Sequence, residues 1–332
     1  MEIVKIRELE VYHPENQVGN DFYIKHFNKQ GKDIKGLLKA YGRDKRYIID
    51  NELENTVTMG IEVAQKVLLS AGLTGQDIDM LLFSSQLPEY TVPSQSLIVH
   101  NAISGKEDCM CLDTNANCVG MLVTVENTAR AMLGNPNVTR ALIIGADYLS
   151  VHCRKDDELT YSNFGDGAVA IILEKVEGEK NTGFIDGTCK TSGESWRLVK
   201  YPACGLSKIY GVDLEPQDKY LKWTPFDGSF AVDYAIKCID LLLDRNNLTV
   251  KDINSYCLSQ YAKAFSNLSA EKLGENIDKF IYIGDTYGYT GTSSPFIAFY
   301  EGIKTGRIRR GDLVCLWSVG THWTICTILI RY

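Results

Sequence analysis

Apolar positions recur at helical spacing over residues 60–71 and again over residues 235–246, and each run leads through a short polar turn into an apolar stretch. The first apolar stretch is Met80 to Phe83 and the second Tyr256 to Leu258, so each copy reads as amphipathic helix, turn and strand. The segments Gly60–Asp79 and Ala235–Asn254 align without a gap at an offset of 175 (235 − 60). Ile61/Ile236, Leu68/Leu243, Leu73/Leu248, Thr74/Thr249, Asp77/Asp252 and Ile78/Ile253 are identical. A weaker match, Thr139–Gly145 with Gly311–Trp317, follows in the same order, each copy a buried strand after a helix and a turn. Two matches in one order predict a duplicated chain, with two β/α halves related by a pseudo-twofold and divided near residues 1–176 and 177–332. No Pro/Gly/Ser-rich linker separates them. The irregular stretch from Gly187 to Asp227 reads as an insertion able to cover a site.

A third pattern carries chemistry. The run Met110–Leu112 predicts a buried strand, Asn115-Ala-Asn a tight turn, and Val119, Leu122, Val123 and Val125–Ala129 a helix with Cys118 in its first turn. There the backbone N–H groups and the positive end of the helix dipole favour a thiolate. Gly120 keeps the turn bare, leaving room for a thioester. The competing reading is a cysteine that only fills space.

Composition narrows the choices. The chain has 332 residues, 45% hydrophobic and 23% charged, as in soluble globular enzymes. Its net charge of −7 argues against a nucleic-acid backbone as partner. No run approaches a membrane span, and the charged N-terminal residues do not read as a signal peptide, so the expected setting is the cytoplasm. Ten cysteines then suggest free thiols, and apart from Cys109-Met-Cys111 they are scattered singly, so no metal site is expected.

The duplicated halves, Asn-Ala-Asn-Cys118-Val-Gly opening a helix, and Phe164-Gly-Asp-Gly-Ala-Val-Ala170 heading a strand together resemble the thiolase superfamily, closest to β-ketoacyl-ACP synthase III. Ala270-Glu-Lys-Leu-Gly274 and the stretch from Gly306 to Tyr332 agree, so the likeness spans nearly the whole chain. It implies a layered α-β-α-β-α fold and a homodimer. It also implies a ping-pong reaction in fatty-acid-like or secondary-metabolite biosynthesis, with no bound cofactor. Cys118 would take an acyl group from acyl carrier protein or coenzyme A and pass it on, in the family by decarboxylating malonyl-ACP. The glycine-rich turn at Phe164 implies a structural role, with no phosphate cradle.

Two positions depart from the family pattern. The family's His-Gln-Ala-Asn reads Ser259-Gln-Tyr-Ala262, and its Gly-Asn-Thr-Ser reads Gly288-Tyr-Thr-Gly291. Ser259 and Tyr289 thus replace the His and Asn that would stabilise an enolate. Serine is no base near neutral pH, and losing one such donor typically costs ~100–1000-fold in rate. Ser318, Gly320 and Thr321 fall where the family has a glycine-rich loop lining the cysteine. His322 in the same loop is a candidate base toward Cys118 or an incoming nucleophile. His152 lies in a loop expected to approach the pantetheine tunnel, whereas His13, His26 and His100 offer less.

For donor docking, Lys35, Lys39, Arg43, Lys45 and Arg46 form a candidate basic patch, with Lys263 where the family uses an Arg. Val92 aligns with a residue that crosses the dimer interface and closes the acyl tunnel; a valine there implies room for a longer or branched chain. The readings left open are an atypical acyltransferase, a standard decarboxylating synthase III, and a non-catalytic partner subunit of a condensing-enzyme heterodimer.

Overall fold

The computed structural model describes residues 1–321 and 323–332. Two five-stranded sheets organise it. The first runs in spatial order Glu2–Tyr12, Gly167–Glu177, Arg140–Asp147, Met80–Ser84, Met110–Thr114. The second runs Gly183–Thr191, Thr324–Arg331, Leu313–Gly320, Ser255–Leu258, Phe280–Ile281. Read in this order, both begin with two antiparallel pairings and end with two parallel ones. The expected duplication is therefore a repeat of strand topology as well as of sequence.

The repeated Leu-Thr-x-x-Asp-Ile words explain the local match. Thr74 N and Oγ1 both donate to Asp77 Oδ2, at 2.9 and 2.9 Å. Thr249 N and Oγ1 donate to Asp252 Oδ2, at 2.7 and 2.8 Å. Each pair closes a capping box over one helical turn and aims the chain into the next strand.

Three apolar clusters build five layers. The helices Gly120–Gly134 and Ser294–Lys304 lie between the sheets, where Met121, Val125, Ala129, Phe296 and Phe299 pack on inward residues of both. The helices Thr56–Ala71 and Gln95–Ala102 cover the outer face of the first sheet, and Ser229–Asn246 with Lys263–Leu273 that of the second. Burying continuous apolar runs on both faces of each sheet is what the mixed strand order requires.

Two local expectations need correction. Met110–Thr114 is an edge strand, and Met110 and Leu112 are 49% and 46% exposed because no strand lies beyond it in the chain. The helix begins at Gly120, so Cys118 precedes its first turn.

Candidate active site

Cys118 sits on a sharp turn that its neighbours impose. Asn117 adopts a left-handed φ of 57°, with its N–H donating to Asn115 Oδ1 at 2.9 Å. Gly120 N–H donates to the Asn117 carbonyl at 3.0 Å. A Cβ on Gly120 would lie 2.5 Å from Ser84 Oγ and 3.2 Å from Thr292 Oγ1. Gly120 is thus required for close packing between the halves rather than for access. Thr292 Oγ1 accepts from Met121 N–H at 2.7 Å and so satisfies a free amide at the helix start.

The sulfur is buried, and its surroundings reverse one expectation. Burial pushes the Cys118 thiol up to about 12, outweighing the Tyr289 hydroxyl and Gln86, which favour the thiolate. The predicted lowering fails because the thiol lies short of the helix and out of water. The S–H donates to Gln86 Oε1 at 3.2 Å. Gln86 is fixed in turn, since its backbone N–H donates to Asp147 Oδ1 at 2.9 Å and its Nε2 to Asp147 Oδ2 at 3.2 Å. Asp147 also accepts from Ser85 Oγ and from Thr292 N, each at 2.9 Å. Burial raises the Asp147 carboxyl to about 6 in spite of these donors.

Tyr289 and Ser259 do converge on the thiol. The Tyr289 hydroxyl lies beside both the sulfur and the Ser259 side chain, and burial holds its pKa well above the ordinary phenol value. Ser259 Oγ is buried and makes no hydrogen bond of good geometry. The Phe164-Gly-Asp-Gly turn backs this arrangement: Gly165 N–H donates to the Tyr289 carbonyl at 3.0 Å, and Tyr289 N–H to the Asn163 carbonyl at 3.0 Å. Ser318 is buried, and its Oγ donates to the Cys118 carbonyl at 3.1 Å, which makes it a positioning residue.

Two cavities meet at Cys118. The larger, about 370 Å³, is lined by aromatic residues including Tyr41, Trp223, Tyr261, Phe265 and Trp323, with Gly320 and Thr321 beside them. Trp223 stacks on Tyr261 at 5.4 Å and 11°. The smaller, about 150 Å³, lies toward Gln86, Leu149, Phe164 and Leu221; Thr321, Trp223 and Tyr289 border both. The stretch after the strand ending at Thr191 supplies Val199, Lys200, Tyr201, Leu221 and Trp223, so most of the expected insertion covers the site; its first residues belong to the sheet.

Other predicted residues lie elsewhere. Arg43 and Arg46 are buried, so they cannot offer charge to a docking partner. Arg43 Nη2 donates to the carbonyls of Gln260 and Tyr261 at 2.5 and 2.8 Å, and its Nε to Asn163 Oδ1 at 2.8 Å. Arg46 donates to Asn20 Oδ1 at 2.8 Å and covers the Tyr23 ring. Lys35, Lys39, Lys45 and Lys263 remain on the surface. Val92 is 85% exposed and lines neither cavity. His152 lies against Tyr201 with the rings tilted at 58° and 4.4 Å between ring centres, and burial lowers its pKa to about 4. His322 lies outside the described residues. Away from the site, His100, Cys109 and Cys111 bring ligand atoms within 4.8 Å of one another, a grouping their sequence spacing does not suggest.

Gln86, Asp147 and Thr292 were not singled out from the sequence. Their signal was available: Ser84-Ser85-Gln86 and Gly145-Ala-Asp147 are polar residues at the carboxyl ends of apolar strands, where open α/β sheets place ligands.

Comparison with known proteins decides the family. Profiles of 3-oxoacyl-(acyl-carrier-protein) synthase III match residues 112–193, and those of its C-terminal region match residues 243–332. The β-ketoacyl-(acyl-carrier-protein) synthase III of Bartonella henselae is 30% identical over 326 residues, 96% of each chain.

The chain belongs to the β-ketoacyl-ACP synthase III family.

That family consists of acyltransferases of the thiolase-like fold. The Neisseria meningitidis synthase III is 28% identical over the full length of both chains. Among solved structures, the Aquifex aeolicus synthase III superposes with TM-score 0.85 at 23% identity, over 99% of this chain and 100% of that one. Xanthomonas campestris OleA superposes with TM-score 0.84 at 16% identity, over 100% and 98%. These two likenesses speak for the fold. No helix among the described residues is long and apolar enough to cross a membrane.

Proposed function

We propose that Cys118 carries an acyl group taken from an acyl carrier protein or coenzyme A thioester and delivers it to a second substrate. One observation carries this reading: the Cys118 thiol lies where an aromatic-walled cavity meets a smaller one, with Tyr289 and Gln86 beside it. The larger cavity fits a pantetheine arm, and the smaller one the acyl group. In the loading step a bond forms between Cys118 Sγ and the thioester carbonyl carbon, the carbon–sulfur bond to pantetheine breaks, and the thiol proton ends on the pantetheine sulfur. Thioester is exchanged for thioester, so the step needs no net driving force beyond alignment. The Tyr289 hydroxyl stabilises the sulfur as it gains negative charge.

Delivery then differs from ordinary decarboxylative condensation, because Ser259 and Tyr289 offer hydroxyls where a charge-bearing imidazole and an amide would hold an enolate. We assign the acceptor's proton to His322, whose neighbours Thr321 and Trp323 line the larger cavity. Gly320 and Thr321 line the larger cavity with Cys118 and are the proposed source of an oxyanion N–H, while buried Ser318 holds the Cys118 carbonyl. Lys263 remains the docking candidate for an acidic carrier. The protein acts as a homodimer: exposed Val92 and the exposed apolar edge Met110 and Leu112 are surfaces that a second copy would cover.

Intact-protein mass spectrometry after incubation with acetyl-CoA and acetyl-ACP tests the reading. An adduct that disappears in Cys118→Ala supports it, and no adduct from either donor defeats it in favour of a non-catalytic subunit. Rapid carbon dioxide release from malonyl-ACP by the acetylated protein would instead establish ordinary condensation. His322→Ala is expected to load normally and to lose transfer to the acceptor.

A further inference from the structure

The smaller cavity beside Cys118 carries polar groups that the protein does not use. It is lined in part by Asn117, Lys200 and Tyr201. Among the described residues the Asn117 amide, the Lys200 ammonium and the Tyr201 hydroxyl have no hydrogen-bond or ion-pair partner within the chain. Asn115, also in the lining, is engaged at both ends: its Nδ2 donates to the Gln86 carbonyl at 3.3 Å and its Oδ1 accepts from Asn117 N–H at 2.9 Å. An apolar acyl chain placed here would strip water from these groups and return nothing. Each buried donor left unpaired costs about 1–3 kcal/mol.

A second observation points to the sign of the missing partner. Lys200 lies on the short ribbon formed by Val199–Lys200 and Lys222–Trp223, where it pairs directly with Lys222. Like charges facing each other across an antiparallel pair destabilise it. Neither lysine forms an ion pair among the described residues. The ribbon therefore sets Lys200, at the cavity wall, opposite exposed Lys222, with no ion pair among the described residues to offset the Lys200 charge.

Size sets a third limit. A cavity of about 150 Å³ is the size that holds one benzene-sized guest of roughly six heavy atoms. The remaining lining, Leu149 and Leu221 among it, suits a short methylene stem.

We propose that this cavity selects a short acyl group ending in a carboxylate, a dicarboxylic half-thioester of about four or five carbons. The inference rests on the acyl-carrier reading above. The thioester carbonyl is held at Cys118, the methylenes lie against the leucines, and the far carboxylate accepts from Lys200, Tyr201 and Asn117. The bond changes are those of the loading step, and the distal carboxylate is unaltered. Within the chain Val92 does not line this cavity and would bear on chain length only from a second copy.

The test compares Cys118 loading by succinyl-, butyryl- and octanoyl-CoA, read as initial rates by intact-protein mass spectrometry on the full chain. Succinyl and butyryl differ at the chain end, where one carries a carboxylate and the other a methyl group. Succinyl is expected to load on the order of tenfold or more faster than butyryl, as a charged hydrogen-bonded contact implies. In Lys200→Met the succinyl-to-butyryl ratio should fall by about the same factor, and that ratio does not depend on how much of the variant is folded. Equal rates for succinyl and butyryl, faster loading by octanoyl, or an unchanged ratio in Lys200→Met overturns the inference while leaving the acyl-carrier reading intact. No adduct from any of the three overturns both.

Discussion

The Ser318 hydroxyl donates to the Cys118 carbonyl at 3.1 Å, joining residues 200 apart in sequence. The second half of the chain thus fixes the backbone from which the first half presents its thiol. Both groups are buried, so removing the donor leaves a carbonyl that water does not reach. Ser318→Ala is expected to lose about 1–2 kcal/mol of stability. Its loading rate by acyl donors should fall further than its alkylation by iodoacetamide, which needs no oriented carbonyl. Parallel losses of both rates would reduce Ser318 to a structural role.

Alkylation also reads the state of the sulfur. With burial holding the thiol near 12, only a small fraction is thiolate at neutral pH. The alkylation rate should therefore climb about tenfold per pH unit from pH 7 to 10, with no plateau near the ordinary cysteine value of about 8.5. Tyr289→Phe removes a group that favours the thiolate, so its rate should lie below the parent's at every pH. A plateau at pH 8 in the parent would show that the sulfur is ionised far more easily than its surroundings allow.

Gly165 has no room for a side chain. A Cβ there would lie 2.1 Å from the Tyr287 carbonyl oxygen and 3.2 Å from that of Tyr47. Gly165→Ala should cost ~2 kcal/mol or more and lower the melting temperature by several degrees. Because Gly165 N–H holds the Tyr289 carbonyl, loading of Cys118 should fall as well. A variant with unchanged melting and loading would refute the packing described for this turn.

Asp166, next in the same turn, gives a pH signature. It is wholly buried and accepts from Ile49 N, Ser150 N and Ser150 Oγ, yet burial raises its carboxyl to about 6. The folded state binds this proton more tightly than the unfolded chain does. The corresponding stability is present below about pH 4 and is lost as pH rises through 6. Asp166→Asn lacks that titration, so the parent's advantage over it should shrink by roughly 2–3 kcal/mol between pH 4 and 7.5. Paired melting curves across that range measure it, and a constant gap would exclude the raised value.

The fold was legible because duplication repeats short-range signals. Leu-Thr-x-x-Asp-Ile builds the same capping box twice, and the apolar strands after it pair in the same order in both sheets. Cys118, Ser259 and Tyr289 were also legible, since each sits at a motif position. The electrostatics of the thiol were not, because the long-range packing that buries it outweighs the local helix start. Arg43 and Arg46 show the same limit: a basic run along the chain cannot reveal that two of its members turn inward to carbonyls more than a hundred residues away. Gln86 and Asp147 escaped notice for a related reason, as neither is reactive alone and each acquires a role only through the other.

The inward turn of Arg43 bears on how the polypeptide matures. Its guanidinium emerges from the ribosome early, while the Gln260 and Tyr261 carbonyls it grips are made 217 and 218 residues later. Until then Arg43 has only partners made earlier, such as Asn163 Oδ1 at 2.8 Å, and its Nη2 lacks both carbonyls. One wall of the reaction chamber takes its shape only once most of the C-terminal portion has been translated, so no shortened product ending before residue 260 can be a working catalyst.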